Sequence, residues 1–184
     1  VTDLGIGAAV QHYFLVVFPS TVGVALVLGF ALAAVWPEPE QDFLRSGMYL
    51  GLLLAGIATL IIGVLYGIKK VGPSVQPRRM GVTVGLSTDE AKYVRRQVLA
   101  GKPSDLEKLS VLRGAAVQIR EGLARQLLTA PGLLALLSGQ AVSRGITSAV
   151  DVVMILLLLA MVVLIGFVAR QFLRTGTFLN STRS

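Results

Sequence analysis

The sequence predicts an all-α integral membrane protein, and three observations lead there. Hydrophobic residues make up 54% of the 184-residue chain and charged residues only 15%, well below the roughly 25% usual in soluble domains. The apolar residues gather into long uncharged runs rather than alternating with polar ones, which is the membrane signature. Between the runs lies a basic block. Twelve basic side chains stand against five acidic ones from Lys69 to Arg125, a net +7. Placed between spans, such a block follows the rule that positive loops stay on the cytoplasmic side.

The first run, Phe14 to Trp36, has 23 residues without a charge, enough to cross roughly 30 Å of hydrocarbon. Asp3 precedes it and no Lys or Arg does, so it does not read as a secretory signal. Trp36 suits the interface and Pro37 stops the helix, while Pro19 predicts a bend near the other end. The acidic link Pro37-Glu38-Pro39-Glu40-Gln41-Asp42 leads to a second run, Gly47 to Ile68, closed by Lys69-Lys70. So short a link predicts an antiparallel hairpin over residues 1–70, with the acidic turn outside and the N-terminus inside.

Residues 71–86 read as a linker, broken by Gly72-Pro73, Pro77, Gly81 and Gly85. Two helix starts follow. Ser87-Thr88-Asp89-Glu90 has the form of a capping box, and Gly101 supplies a stop. Ser104-Asp105-Leu106-Glu107 repeats the start, after which Leu106, Leu109, Leu112, Ala116, Ile119 and Leu123 share one helical face. The prediction is a basic cytoplasmic linker and amphipathic helical hairpin over 71–126. Leu106, Leu109 and Leu112 are too few to close a core alone, so they are expected to dock on the membrane or a neighbour.

The last section, 127–184, read as a second transmembrane hairpin and a cytoplasmic tail, decides topology. Ile146 to Ala169 is a span interrupted only by Asp151. Leu127 to Val142 is uncharged but just 16 residues long, with Pro131-Gly132, Ser138, Gly139 and Gln140 inside. Its length predicts three spans plus a re-entrant or interfacial helix. Charge predicts four, because only a crossing there returns Arg170, Arg174 and Arg183 to the cytoplasm. The amphipathic helix could extend inward to supply the missing length. The favoured fold is four spans in two hairpins, both termini cytoplasmic, in the inner (plasma) membrane of a bacterium.

The strongest pattern within the spans concerns packing. Gly47, Gly51, Ala55, Thr59, Gly63 and Gly67 are small at every fourth position, as are Thr21, Ala25, Gly29 and Ala33. Small residues so spaced let backbones approach closely in lipid. Four residues advance a helix about 40° beyond a full turn, so the six positions wind around it. Either half should meet the first span and the rest something else, or, Gly and Ala being abundant here, the pattern serves only the internal hairpin. The last span carries no such stripe and reads as lipid-facing.

Residues that could carry chemistry are few. The chain has no cysteine and one histidine, His12, which removes thiolate chemistry and histidine metal centres. Gly5 and Gly7 belong to no phosphate loop, and Ser87 and Ser104 are accounted for by capping. Asp151 is an acid in an apolar run, a proton-relay candidate by default, but it sits near a span end where a helix N-terminus satisfies it. No catalytic residue, metal or cofactor is expected.

From Leu86-Ser87-Thr88-Asp89-Glu90 through Val94-Arg95-Arg96, Gly101-Lys102-Pro103 and Leu106, the chain resembles a loose class of small uncharacterised actinobacterial integral membrane proteins. The resemblance covers the C-terminal half and implies a capped basic helix pair ahead of a two-span hairpin. It implies no activity.

The expected function is that of a non-catalytic accessory or scaffolding subunit in a larger inner-membrane complex, such as a respiratory or transport assembly. Its partners would be other membrane subunits and, at the basic segment, anionic lipid headgroups. A small oligomeric transporter or channel is the rival, with only Thr59, Thr129, Ser138, Gln140 and Asp151 to line a path. Nucleic acid is not an expected partner, because the basic charges are scattered rather than set at groove-reading spacing.

Overall fold

The computed structural model describes residues 2–3, 5–36, 42–76, 88–100, 109–144 and 148–182. It is built of helices, apart from one two-residue bridge. Strand β1 (Thr2–Asp3) pairs antiparallel with β2 (Val75–Gln76), Thr2 opposite Gln76. The helices are α1 (Ile6–Val35), α2 (Phe43–Ser74), α3 (Thr88–Ala100), α4 (Leu109–Arg144) and α5 (Ala149–Ser181). Three of them, α1, α2 and α5, are long and apolar enough to cross a membrane.

Each of these three exceeds its apolar run. The 30 residues of α1 span about 45 Å at 1.5 Å per residue, against roughly 30 Å of hydrocarbon. The surplus of α1 is at its start, where Ile6, Val10 and Tyr13 form a buried stripe. Its backbone widens to a π-turn over Tyr13–Val17, directly ahead of Pro19, which withdraws one N–H from the ladder. Beyond it Thr21 Oγ1 donates to the Val17 carbonyl at 2.7 Å. In α2 the helix runs on past Lys69-Lys70 through a second π-turn, Gly67–Val71, and a last 3-10 turn to Ser74. The linker read from residue 71 thus begins as helix, because Val71 is buried.

The short run from Leu127 and the amphipathic face before it are one helix. The 36 residues of α4 pass through Pro131 without a break, so the boundary drawn at 126/127 falls inside a continuous element. Its first half is the amphipathic part, with Leu112, Ala116 and Leu123 buried and Ile119 partly so. Its second half lies antiparallel along α2. Leu128 meets Gly63, Gly132 meets Gly56 and Leu60, and Gly139 meets Leu52. At the far end Arg45 donates from Nε to Val142 O at 2.9 Å and from Nη2 to Ser143 O at 2.7 Å. That arginine satisfies carbonyls which the end of α4 would otherwise leave open.

Helix α5 continues twelve residues past Ala169 to Ser181, where a tail had been expected. Phe172, Thr175, Gly176, Phe178 and Leu179 are buried there. They close a core with the start of α1, Val71, Val94 and Val98 of α3, and Leu112 to Leu123 of α4. The part of that face borne by Leu112, Ala116, Ile119 and Leu123 therefore docks inside its own chain, while Leu106 and the side chain of Leu109 lie outside the described residues. Arg120 stands in this core with its guanidinium 4.9 Å from the Phe172 ring centroid, a cation–π distance. Room for it comes from Gly7 and Gly176, where an added Cβ would come within 2.8 and 3.0 Å of Nη2.

The acidic link at 37–41, Ser87 with the linker before it, the stop at Gly101 and the second cap at 104–107 lie outside the described residues.

The closest helix approach gives the first prediction. A Cβ at Gly29 would fall on the Gly51 backbone, whereas nothing stands within 4 Å of one at Gly166. Gly29→Ala should lower stability in detergent by about 1–3 kcal/mol, as overpacking does. Gly166→Ala should leave it unchanged or raise it by up to about 1 kcal/mol through helix propensity. Equilibrium unfolding in mixed micelles measures both, and equal effects would refute the assigned crossing.

Candidate functional site

Where the small residues go is the first question about any site. Gly47 and Gly51 face α1: a Cβ on Gly47 would strike the Phe30 ring, and one on Gly51 would come within 3.0 Å of Leu26 Cα. Ala25, Gly29 and Ala33 are the buried face of α1, and Thr21 is half-buried. Further along α2 the line turns towards α4. Gly63 sits against the Leu128 carbonyl, and a Cβ on Gly67 would make ordinary contact with Arg125 and Leu128. Ala55 and Thr59, between these two sets, are also buried. The winding predicted from helix geometry is what divides the stripe. Its second neighbour is α4 of the same chain.

Sequence reading missed three members of this packing. Gly56 opposes Gly132 and Leu136, and Gly139 opposes Leu52. Gly132 and Gly139 had looked like interruptions in a run too short to cross. In lipid they are the positions that admit a neighbouring backbone. Their seven-residue separation, two helical turns along one face, was the available signal.

At the junction of α1, α2 and α4 lies a polar point. Tyr13 is fully buried; its hydroxyl donates to Leu128 O at 3.0 Å and lies 3.5 Å from Thr59 O. Leu128 is one residue on from the Leu127 carbonyl that Pro131 cannot serve. In the other direction Tyr66 of α2 donates to Ala9 O of α1 at 3.1 Å. The two rings stand 5.3 Å apart, beside Phe14 and Phe18. Two tyrosines thus bind each helix to its neighbour's main chain next to the two π-turns. Thr59 Oγ1 is buried and has no hydrogen-bond partner among the described residues.

Asp151 has a structural role. Its Oδ2 accepts from Ser148 N at 2.7 Å and from Ser148 Oγ at 2.8 Å, which closes a capping box at the start of α5. The residues proposed to line a path are not gathered. Thr59 is at the tyrosine junction, Thr129 Oγ1 donates back to Arg125 O at 3.1 Å, and Asp151 is at the opposite end of the bundle. His12 is exposed. Among the described residues no three His, Asp or Glu side chains stand close enough to share a metal ion.

A cleft of about 520 Å³ opens where α3, α4 and α5 meet. Arg95 enters it from α3, Gly122, Leu123 and Gln126 from α4, and Phe167 and Gln171 from α5. It combines concavity, apolar walls and a cation.

Tyr13→Phe keeps the ring packing and removes the hydroxyl alone. It should cost about 0.5–1.5 kcal/mol, towards the lower value if the unfolded chain in the micelle finds another donor. Unfolding of the two proteins side by side measures it, and a variant as stable as the parent would show that the bond contributes nothing. Set against known proteins, the chain matches no family model, no curated protein and no solved structure.

Proposed function

We propose that the protein is a non-catalytic accessory or scaffolding subunit of a larger bacterial inner-membrane assembly, with four spans and both termini in the cytoplasm. The fourth crossing is the second half of α4. It follows α2 from Gly67 to Arg45 in the opposite direction, so a membrane crossed by α2 over that length is crossed by α4 as well. The helix start supplies the length that the apolar run lacks. The charges agree: Lys69, Lys70, Arg125, Arg170 and Arg174 lie at the end that carries the core, whereas at the other end Asp42 and Asp151 stand beside Arg45 and Arg144 with no net charge.

One observation carries the subunit reading. No residue of α5 from Val152 to Gln171 is buried, although α1, α2 and α4 spend their small residues on one another. A span so little used by its own chain presents Leu157, Leu159 and Val163 outward, to lipid or to a neighbouring subunit. The transporter reading has no comparable support, since the polar span residues are dispersed.

The topology has a direct test, because the chain has no native cysteine. In intact spheroplasts Ser148→Cys should label with a membrane-impermeant maleimide. Lys92→Cys and Arg174→Cys should label only after permeabilisation. Labelling of Arg174→Cys from outside would replace four spans with three.

The subunit role is tested by purifying the tagged chain in mild detergent. Stoichiometric recovery of one larger complex is expected, together with its loss in Val163→Trp, where the added bulk stands on the exposed face of α5. A homo-oligomer that passes solute in liposomes, or a chain that always purifies alone, would overturn it.

A further inference from the structure

The cleft between α3, α4 and α5 lies at a particular depth. Arg125 is the last charge on α4 before its apolar half, and Arg170 is the first on α5 after 18 uncharged residues. Gln126, the residue next to the first mark, and Leu164, six residues inside the second, both line the cleft, as does Gln171 just beyond. It therefore straddles the level where apolar helix gives way to the basic end. Leu164 and Phe167 are 59% and 57% exposed, so its apolar wall continues into the outward surface of α5.

Its chemistry is amphiphilic. Leu123, Leu164, Phe167 and Val168 form one wall, while Arg95, Gln126 and Gln171 supply a cation and two amides. Arg95 is exposed and engages no acidic side chain among the described residues. Gly122 borders the cleft with open space where its Cβ would stand.

We infer that this cleft seats one anionic phospholipid of the surrounding bilayer. The phosphate rests on Arg95, the glutamine amides donate to headgroup oxygens, and an acyl chain follows Phe167 and Leu164 towards the membrane core. A cleft of about 520 Å³ falls within the roughly 300–1,000 Å³ of small-ligand sites. A free phosphate would leave the apolar wall unused. A partner helix would need a groove along the whole of α5, and this one covers two turns, Leu164 to Gln171. The inference rests on the four-span reading, which sets the depth of the cleft, and is independent of the subunit role.

Lipid retention on the detergent-purified full chain, read by native mass spectrometry, tests it. Phosphatidylglycerol should stay bound where phosphatidylcholine does not. Arg95→Gln should weaken retention by about fivefold or more, the worth of one cation near an anionic headgroup. Arg96→Gln, exposed but outside the cleft, should change it less than about twofold, within the spread of surface charge effects. Gly122→Leu sends a side chain into the cleft from a position where a Cβ has open space and should abolish retention of phosphatidylglycerol. Equal losses in the two arginine variants, equal retention of the two lipids, or displacement of phosphatidylglycerol by inorganic phosphate would each overturn the assignment. Cysteine labelling reports the topology separately, so failure of that reading and failure of this one are distinguishable.

Discussion

Four residues of helix make slightly more than one turn, and a line of small side chains at that spacing drifts around the axis. On α2 this drift has a structural result. Gly47 and Gly51 open one side of the helix to α1, and Gly63 and Gly67 open another side to α4. A helix with its small residues on one straight face would hold a single close neighbour. Because α2 holds two, it is the middle member of the bundle. The approach of α1 and α4 to its backbone is what aligns the tyrosine bonds, the Arg45 clamp and the core beyond them. Lipid offers no hydrophobic drive for helices to associate, so close packing and hydrogen bonds carry that association. The glycines of α2 supply the first and make the second geometrically reachable: Leu128 O comes within bonding distance of Tyr13 because Gly63 has no side chain between them.

The second consequence is a core built outside the apolar runs. Bundle helices only as long as a bilayer is thick would leave the amphipathic face of α4 without a partner. Here α1 begins early and α5 ends late, so Ile6, Val10, Phe172 and Phe178 meet Leu112 and Ala116 on the basic side. This joins the helices of the basic segment rigidly to the spans. It also places an arginine, Arg120, among apolar neighbours, with two glycines making room and an aromatic face beneath it. Movement of α3 would disturb the ends of α4 and α5 directly.

How much of this was legible in the sequence depends on the periodicity involved. Long uncharged runs and the winding stripe were readable because lipid imposes one rule over twenty residues. Helix α4 was ambiguous because its two halves obey different rules. Up to Leu123 one face is polar, and beyond it small residues replace charge as the packing signal. A proline followed by a glycine suggests a break in water, whereas at Pro131-Gly132 neighbouring helices keep the backbone supported. The ends of α1 and α5 were missed for another reason. Ile6-Val10-Tyr13 and Phe172-Thr175-Gly176-Leu179 are stripes of helical spacing, but too short to stand out beside runs of 23 residues. Only the core they share explains them. The cleft was not legible at all, because Arg95, Gly122 and Phe167 come from three helices whose register no local pattern contains.

The use of small residues inside the chain changes what a partner can bind. A stripe open to solvent lipid would have offered a ready surface for another subunit, and here both stripes are filled. What remains is α5, broad and apolar, together with the basic end. An apolar helix surface in lipid is a weak source of specificity, since lipid tails compete with any neighbour on nearly equal terms. A subunit recognised along α5 would therefore need a second contact to set its register. The basic end supplies charge, shape and directed hydrogen-bond donors, and α5 runs into it without interruption from Val152 to Leu179. Recognition that couples the two, an apolar length along α5 and an anionic group above it, has the same chemistry as a phospholipid. A lipid seated in the cleft would have to be accommodated or displaced by any protein partner approaching from that side.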